Sequence, residues 1–224
     1  MGHGLAADRR ARHVRGSEQL RLRVNGGAER RADQTVCVLD GHEHARSRRW
    51  IDTRGAGKLV VKAPREGAAE EHVIEDTREG WVESMQRLLS VYLEGNRAVQ
   101  FDYSRIRPAG APIKGFGGVA SGPAALQRLH NSISATLQPL IGTSLGVRGI
   151  VDIMNHIGRC VVAGNVRQTA EIAFGPADSE EYLDLKNYTK HPERMEYGWT
   201  SNNSVFAELG MNYTPVTARV QLNG

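Results

Sequence analysis

Cysteine is scarce: the 224 residues hold two, Cys37 and Cys160. That excludes a disulfide framework and any C-x-x-C metal motif. Long apolar runs are missing, with no stretch near the ~18 residues of a membrane span. The opening MGHGLAADRRARHVRG has no apolar core for a secretory signal. These absences predict a reduced, cytoplasmic protein. Aromatic residues make up 6% of the chain, and none interleaves the arginines before Trp50. No DNA- or RNA-binding motif accompanies that basic stretch, which weighs against a nucleic-acid partner. No Ser-His-Asp grouping and no paired-carboxylate site can be picked out either.

What is present is an average globular composition, 40% hydrophobic and 24% charged, in a chain long enough for one sizeable core. The net charge of +4 is unevenly spread. Residues 1–50 hold 11 of the 29 Lys+Arg and 6 of the 25 Asp+Glu, 11 − 6 = +5, and the remainder balances at 18 − 19 = −1. This basic segment shows no sustained period of 2.0 or 3.6, and only TVCVL (Thr35–Leu39) resembles a strand. It is expected to lie outside the fold, which would occupy residues 51–224.

From Ile51 strands and helices alternate, the pattern of an α/β protein. KLVVKA (Lys58–Ala63) reads as a strand, and Arg65–Glu71 as a polar loop. Asp76-Thr77-Arg78-Glu79 offers a capping-box-like helix start. Trp81, Met85, Leu88, Leu89 and Tyr92 follow at helical spacing, and Gly95 sits where a terminating glycine belongs. AVQFDY (Ala98–Tyr103) is a strand. AALQRLHNSISATLQPL (Ala124–Leu140) is a helix with Pro123 in its first turn, and Ile150–Val162 is a third helix. TAEIAFG (Thr169–Gly175) is strand-like, SEEYLDLKNY a short helix, and NNSVFAEL (Asn202–Leu209) a strand.

Two connections stand out. RPAGAPIKGFGGVASGP (Arg107–Pro123) packs five glycines, three prolines and one lysine into seventeen residues. GFGGVA formally fits a dinucleotide fingerprint, but the two prolines before it cannot sit in a central strand, and no acidic strand end follows at the required distance. Lys114 follows the wrong glycine for a P-loop. The second connection, VVAGNVRQTAE (Val161–Glu171), places Arg167 and Gln168 between a helix and a strand, where they can donate to phosphate or to base edges, or merely cap carbonyls and face water. His130 and His156 lie within helices and read as structural, and Cys160 falls on an apolar helix face as a buried, inert thiol.

At these connections a resemblance carries further than spacing. SRIRPAGAPIKGFGGVASGP (Ser104–Pro123), DIMNHIGRCVVAGNVRQTAEIAFG (Asp152–Gly175) and YGWTSNNSVFAELG (Tyr197–Gly210) closely resemble the adenosylcobalamin-dependent (class II) ribonucleotide reductases, of the ribonucleoside-triphosphate type. DTRGAGKLVVKAPRE (Asp52–Glu66) and DTREGWVESMQRLL (Asp76–Leu89) fit the same family. The resemblance implies part of a ten-stranded α/β barrel and a radical reduction of the ribose 2′-hydroxyl. It implies adenosylcobalamin as cofactor, a ribonucleotide substrate, a deoxynucleotide (dNTP) effector and a thioredoxin-type reductant. On this reading Arg105, Arg107 and Lys114 would face effector phosphates, with Gly117 and Gly118 letting the chain wrap the nucleotide. Gly164, Asn165, Arg167 and Gln168 would lie between effector and substrate base.

The sequence also departs from that family. The N-P-C-x-E segment that carries the thiyl cysteine and its glutamate does not occur, so the chain is expected to be an inactive fragment without catalytic residues. HARSRRW (His44–Trp50) stands where relatives carry a glycine-rich strand; codons exist for it that, read one base later, spell T-L-G-V-G-V-G. The basic segment is therefore read as a frameshifted translation. Two other readings stay open: a free-standing dNTP-binding regulatory module, and a nucleic-acid binder acting through the basic arm.

Overall fold

The computed structural model describes residues 23–24, 38–39, 46–113, 118–163 and 168–223. Strand β1 (Arg23–Val24) pairs in parallel with β2 (Val38–Leu39), so TVCVL contributes two strand residues and its first three lie outside the described residues. Strand β3 (Arg46–Asp52) follows. Its first five residues fall in the stretch whose composition shows no strand pattern.

The chain then runs through Thr53–Pro64 without forming the expected strand. Within KLVVKA only Val60 makes a bridge, to Ser144, and Val61 exchanges backbone hydrogen bonds with Gly142 and Thr143. The expected polar loop is instead strand β4 (Arg65–Val73), parallel to β5 (Arg97–Asp102). Nearly every β4 residue is exposed, so no apolar alternation marks it in the sequence.

Helix α1 (Arg78–Leu93) starts one residue later than a box beginning at Asp76 would have it. Thr77 is the N-cap, and its hydroxyl accepts from the Gly80 N–H at 3.0 Å. Gly95, at φ 76°, ends the helix as expected. Met85, Leu88, Leu89 and Tyr92 are buried along one face.

After β5 the glycine-rich stretch forms a small antiparallel pair, β6 (Pro112–Ile113) with β7 (Gly118–Val119). Helix α2 (Pro123–Leu137) continues into a 3₁₀ turn, and α3 (Val147–Val162) packs against it. Strand β8 (Gln168–Gly175) leads to the single-turn α4 (Glu180–Leu183), shorter than SEEYLDLKNY suggests. Two 3₁₀ turns precede β9 (Ser201–Val205), and α5 (Thr214–Asn223), in a stretch with no sequence assignment, closes the described chain.

The main sheet is parallel, in the order β3-β8-β9. One face lies on α3, where Ile51 and Ala173 are buried with Ile150, Val151, Ile153, Met154 and Ile157. The other carries a row of rings: Trp50 stacks on Phe174 at 5.3 Å, and Phe174 on Phe206 at 5.9 Å. Ile133, Leu137, Leu126 and Leu129 extend the same core beneath α2 towards α1. The architecture is α/β, as expected, with no closed barrel among the described residues.

Candidate functional site

The first connection leaves the carboxyl end of β5. Asp102 turns the chain by accepting from the Ser104 N–H at 2.8 Å and its hydroxyl at 3.0 Å, bonds that hold its carboxyl below the usual range. Tyr103 and His130 share a hydrogen bond of 2.7 Å at Nδ1, and His130 Nε2 meets the Ser84 hydroxyl at 3.0 Å. This chain ties β5 to α2 and α1. Burial pushes His130 down to about 4, so the ring is neutral at pH 7. Ile106 anchors the connection in the core.

Gly122 closes the connection at φ 72°, where an added Cβ would stand 2.8 Å from the Ala109 amide nitrogen. Only glycine lets the two ends of the loop touch there.

The arginines expected to face phosphate are paired with acids in this structure. Arg105 bonds Glu75, and Arg107 Nε donates to Asp76 Oδ2 at 2.5 Å and Nη1 to the Pro112 carbonyl at 3.5 Å. The Arg105 pair is more than half exposed on both sides, where ion pairs contribute about 0–1 kcal/mol, so it can open to a stronger anion. Gly118 lies in β7, opposite Ile113. Lys114 and Gly117 lie outside the described residues.

The second connection joins α3 to β8. Gly164, Asn165 and Arg167 lie outside the described residues, and Gln168 begins β8, in register with Arg46. Just beyond it, buried Glu171 accepts from Asn155 Nδ2 at 3.3 Å and from the Thr200 hydroxyl at 3.5 Å. Its carboxylate lies against Gly158, where a Cβ would stand 2.7 Å from Oε1. Asn155 in turn accepts from Arg194 Nη2 at 3.3 Å, and Arg194 Nε donates to Asp152 Oδ1 at 2.8 Å.

A cleft of about 390 Å³ opens between the first half of α2 and the last half of α3. Arg128 and Ser132 line one wall, and His156, Arg159 and Cys160 the other. Ala125, two residues into α2, and Ala163, immediately before Gly164, put the cleft where both connections meet the helices. Arg159 Nη1 bonds Glu196 at 3.0 Å. Burial pushes His156 down to about 4, with the Arg159 and Arg194 charges adding, and pushes the Cys160 thiol up to about 12. Both are structural groups at neutral pH, as their helical positions suggest. Arg128 and Arg159 are the donors sequence reasoning missed. Each looks like an ordinary helix-surface arginine until the two helices are packed together.

Residues 54–137 match the family described as B12-dependent ribonucleotide reductase, insertion domain. The adenosylcobalamin-dependent ribonucleoside-triphosphate reductase of Euglena gracilis is 50% identical over 175 residues, 78% of this chain and 24% of that protein. The chain resembles one part of the B12-dependent ribonucleotide reductases. The probable adenosylcobalamin-dependent ribonucleoside-triphosphate reductase of Dictyostelium discoideum is 56% identical over 153 residues, 68% of this chain and 20% of that one. The fold agrees: a crystal structure of a B12-dependent (class II) ribonucleotide reductase superposes with a TM-score of 0.61 at 27% identity. The match covers 84% of this chain and 27% of that structure. The chain thus spans about a quarter of the length of these reductases. The insertion-domain match takes in β4, α1, β5, the glycine-rich connection and α2, and α3 lies beyond it.

Proposed function

We propose that this chain carries the nucleotide-sensing elements of a B12-dependent ribonucleotide reductase and binds a dNTP effector in the cleft between α2 and α3. The observation that carries this reading is the placement of Arg128 and Arg159 on that cleft, at the junction of both connections. Guanidinium groups suit phosphate through paired, charge-assisted hydrogen bonds. Arg105 and Arg107, now paired with Glu75 and Asp76, would add donors from the first connection. Gln168, with Arg167, would report occupancy towards a ribonucleotide substrate, coupling the two sites through the second connection.

The whole reductase would reduce ribonucleoside triphosphates in the cytoplasm, with electrons from a thioredoxin-type reductant. No chemical step is placed on this chain. Cys160 is buried with its thiol pushed up to about 12, the opposite of a reactive thiolate. Cys37 lies outside the described residues, as does most of the basic arm. Adenosylcobalamin would supply the radical to the whole reductase. The α2/α3 cleft, of about 390 Å³, is at the low end for a drug-sized ligand and is too small for a corrin macrocycle.

Calorimetric titration of the purified chain with each of the four dNTPs tests the reading. Saturable binding is expected, weakened about tenfold in Arg128→Ala and in Arg159→Ala, the loss typical of one charge-assisted hydrogen bond. No saturation at millimolar nucleotide, or binding by both variants as tight as by the parent chain, would overturn it.

A further inference from the structure

The β4/β5 pair has a feature at its other end that the effector cleft does not use. Arg65 and Arg97 open the two strands and are direct partners in the parallel ladder. Like charges placed opposite each other destabilise a sheet. A third arginine, Arg87 of α1, faces the same spot, and the three surround a cleft of about 320 Å³ with Glu70, Ser90, Asn96 and Val99.

The strand bends to make this room. Between the pairs Arg65↔Arg97 and Glu70↔Val99, β4 advances 70 − 65 = 5 residues while β5 advances 99 − 97 = 2, so three extra residues bulge out of β4. Gly67 turns the bulge at φ 127°, with a position for Cβ 3.6 Å from Arg97 Nε. Bulges of this kind re-aim side chains and cluster beside functional sites.

The charges around the cleft do not cancel. Arg87 is bonded to Glu83 at 2.8 Å, and among the described residues Arg65 Nη2 reaches the Asn96 amide oxygen, at 3.5 Å. Among the described residues Arg97 has no ion pair. The lining itself holds three guanidiniums and one carboxylate, Glu70, with Glu83 just outside it on Arg87. Glu94 stands just outside it as well, accepting from Asn96 Nδ2 at 3.0 Å. Val99 is the one apolar residue of the lining and no aromatic ring stands there, so the cleft has no apolar slot to enclose a base.

We propose that this bulged cleft is a second anion site, which binds a di- or triphosphate group and ignores what the phosphates are attached to. Planar guanidinium forks from two strands and a helix can each take a different pair of phosphate oxygens. The site sits at the amino ends of β4 and β5. The Arg105/Arg107 connection leaves the opposite end, one six-residue strand away, about 20 Å at 3.3 Å per residue. Its lining also shares no residue with the α2/α3 cleft, so the two sites are separate.

The test is calorimetric titration of the whole chain with pyrophosphate, with and without the effector-cleft changes Arg128→Ala/Arg159→Ala. Pyrophosphate binding should survive those changes. It should weaken about tenfold in Arg97→Ala and in Arg65→Ala, and tighten about threefold in Glu70→Gln. All of these side chains are at the surface, so a thermal melt should show each variant folded as the parent is. ATP and tripolyphosphate should match each other within about threefold at this site, and adenosine should not compete. Absence of pyrophosphate binding, its loss in Arg128→Ala/Arg159→Ala alone, or indifference to Arg65 and Arg97 would each overturn the assignment. A strong preference for ATP over tripolyphosphate would do so too, by showing that the base is read.

Discussion

Arg194→Ala should be the most damaging single substitution in the second half of the chain. Its side chain is 1% exposed and holds three partners: Asp152 at 2.8 Å, Asn155 at 3.3 Å and the Leu185 carbonyl. Removing it leaves the Asp152 carboxylate, 5% exposed, with only the weaker pull of the Arg148 charge to offset its burial. Breaking a buried pair from one side costs about 3–5 kcal/mol. The cost should also depend on pH. Burial pushes Asp152 up to about 6, against the pull of Arg194. A carboxyl raised above its unfolded value stabilises the fold below that value, and the contribution is lost as pH rises through the folded value. Each unit by which losing Arg194 raises Asp152 further adds about 1.4 kcal/mol to the penalty at pH 8 relative to pH 5. Urea melts of parent and variant at the two pH values, followed by circular dichroism, measure this. Replacing both partners, as Arg194→Met/Asp152→Leu, should recover more than half of the loss, because no charge is then left buried. A penalty below about 1 kcal/mol, or one equal at both pH values, would refute the account of a buried, interdependent pair.

Two other outcomes follow from the same reasoning. His130 and His156 are each pushed from 6.5 to about 4, chiefly by burial, so the unfolded chain binds more protons than the folded one between those values. Each should remove about 3 kcal/mol as pH falls from 6.5 to 4; Asp152 returns about 3 kcal/mol over part of that range, leaving a net loss of about 3 kcal/mol. Denaturation midpoints at pH 7 and 4.5 test the slope, which should flatten or reverse in His130→Gln/His156→Gln. Gly122→Ala should cost about 1–3 kcal/mol, since it adds a contact 2.8 Å from Ala109 N to a left-handed backbone. Gly110→Ala, at φ 84° with open space around it, should cost about 1 kcal/mol by thermal melt, and equal losses at both positions would show that the loop ends do not touch.

Elements that bury one face were legible in the sequence. α1, α2, α3, β5 and β8 show their apolar stripe or run directly, and their ends follow from Thr77, Gly95 and Pro123. Elements held by neighbours were not. β4 is exposed along nearly its whole length and is a strand because β5 pairs with it, so its REGAAEEHV carries no alternation. β3 opens with RSRRW and is a strand because all seven of its residues are in register with β8. KLVVKA fails the other way: its apolar residues are strand-like, but the partner segment around Gly142–Leu145 meets it at one bridge only. Propensity in these places is overruled by which backbone lies alongside.

The candidate site divides along the same line. Loops announce themselves by glycine and proline: the first connection is marked by five glycines and three prolines, the second by Gly164-Asn165 after an apolar helix pattern. A cleft between helices has no such signature, because its lining comes from positions whose meaning depends on the partner helix. Arg128 and Arg159 lie 31 residues apart and become one site only when α2 and α3 pack antiparallel ends together. Arg105 and Arg107 show the converse. Their sequence position beside a glycine-rich loop points at a ligand, yet in this structure each is held by an acid, Glu75 or Asp76, from the turn that starts α1. An arginine poised on a weak, partly exposed ion pair can trade it for phosphate at small cost, whereas one buried as Arg194 is cannot. The distinction between a binding arginine and a structural one is therefore set by the desolvation of its present partner, which only the packed fold determines.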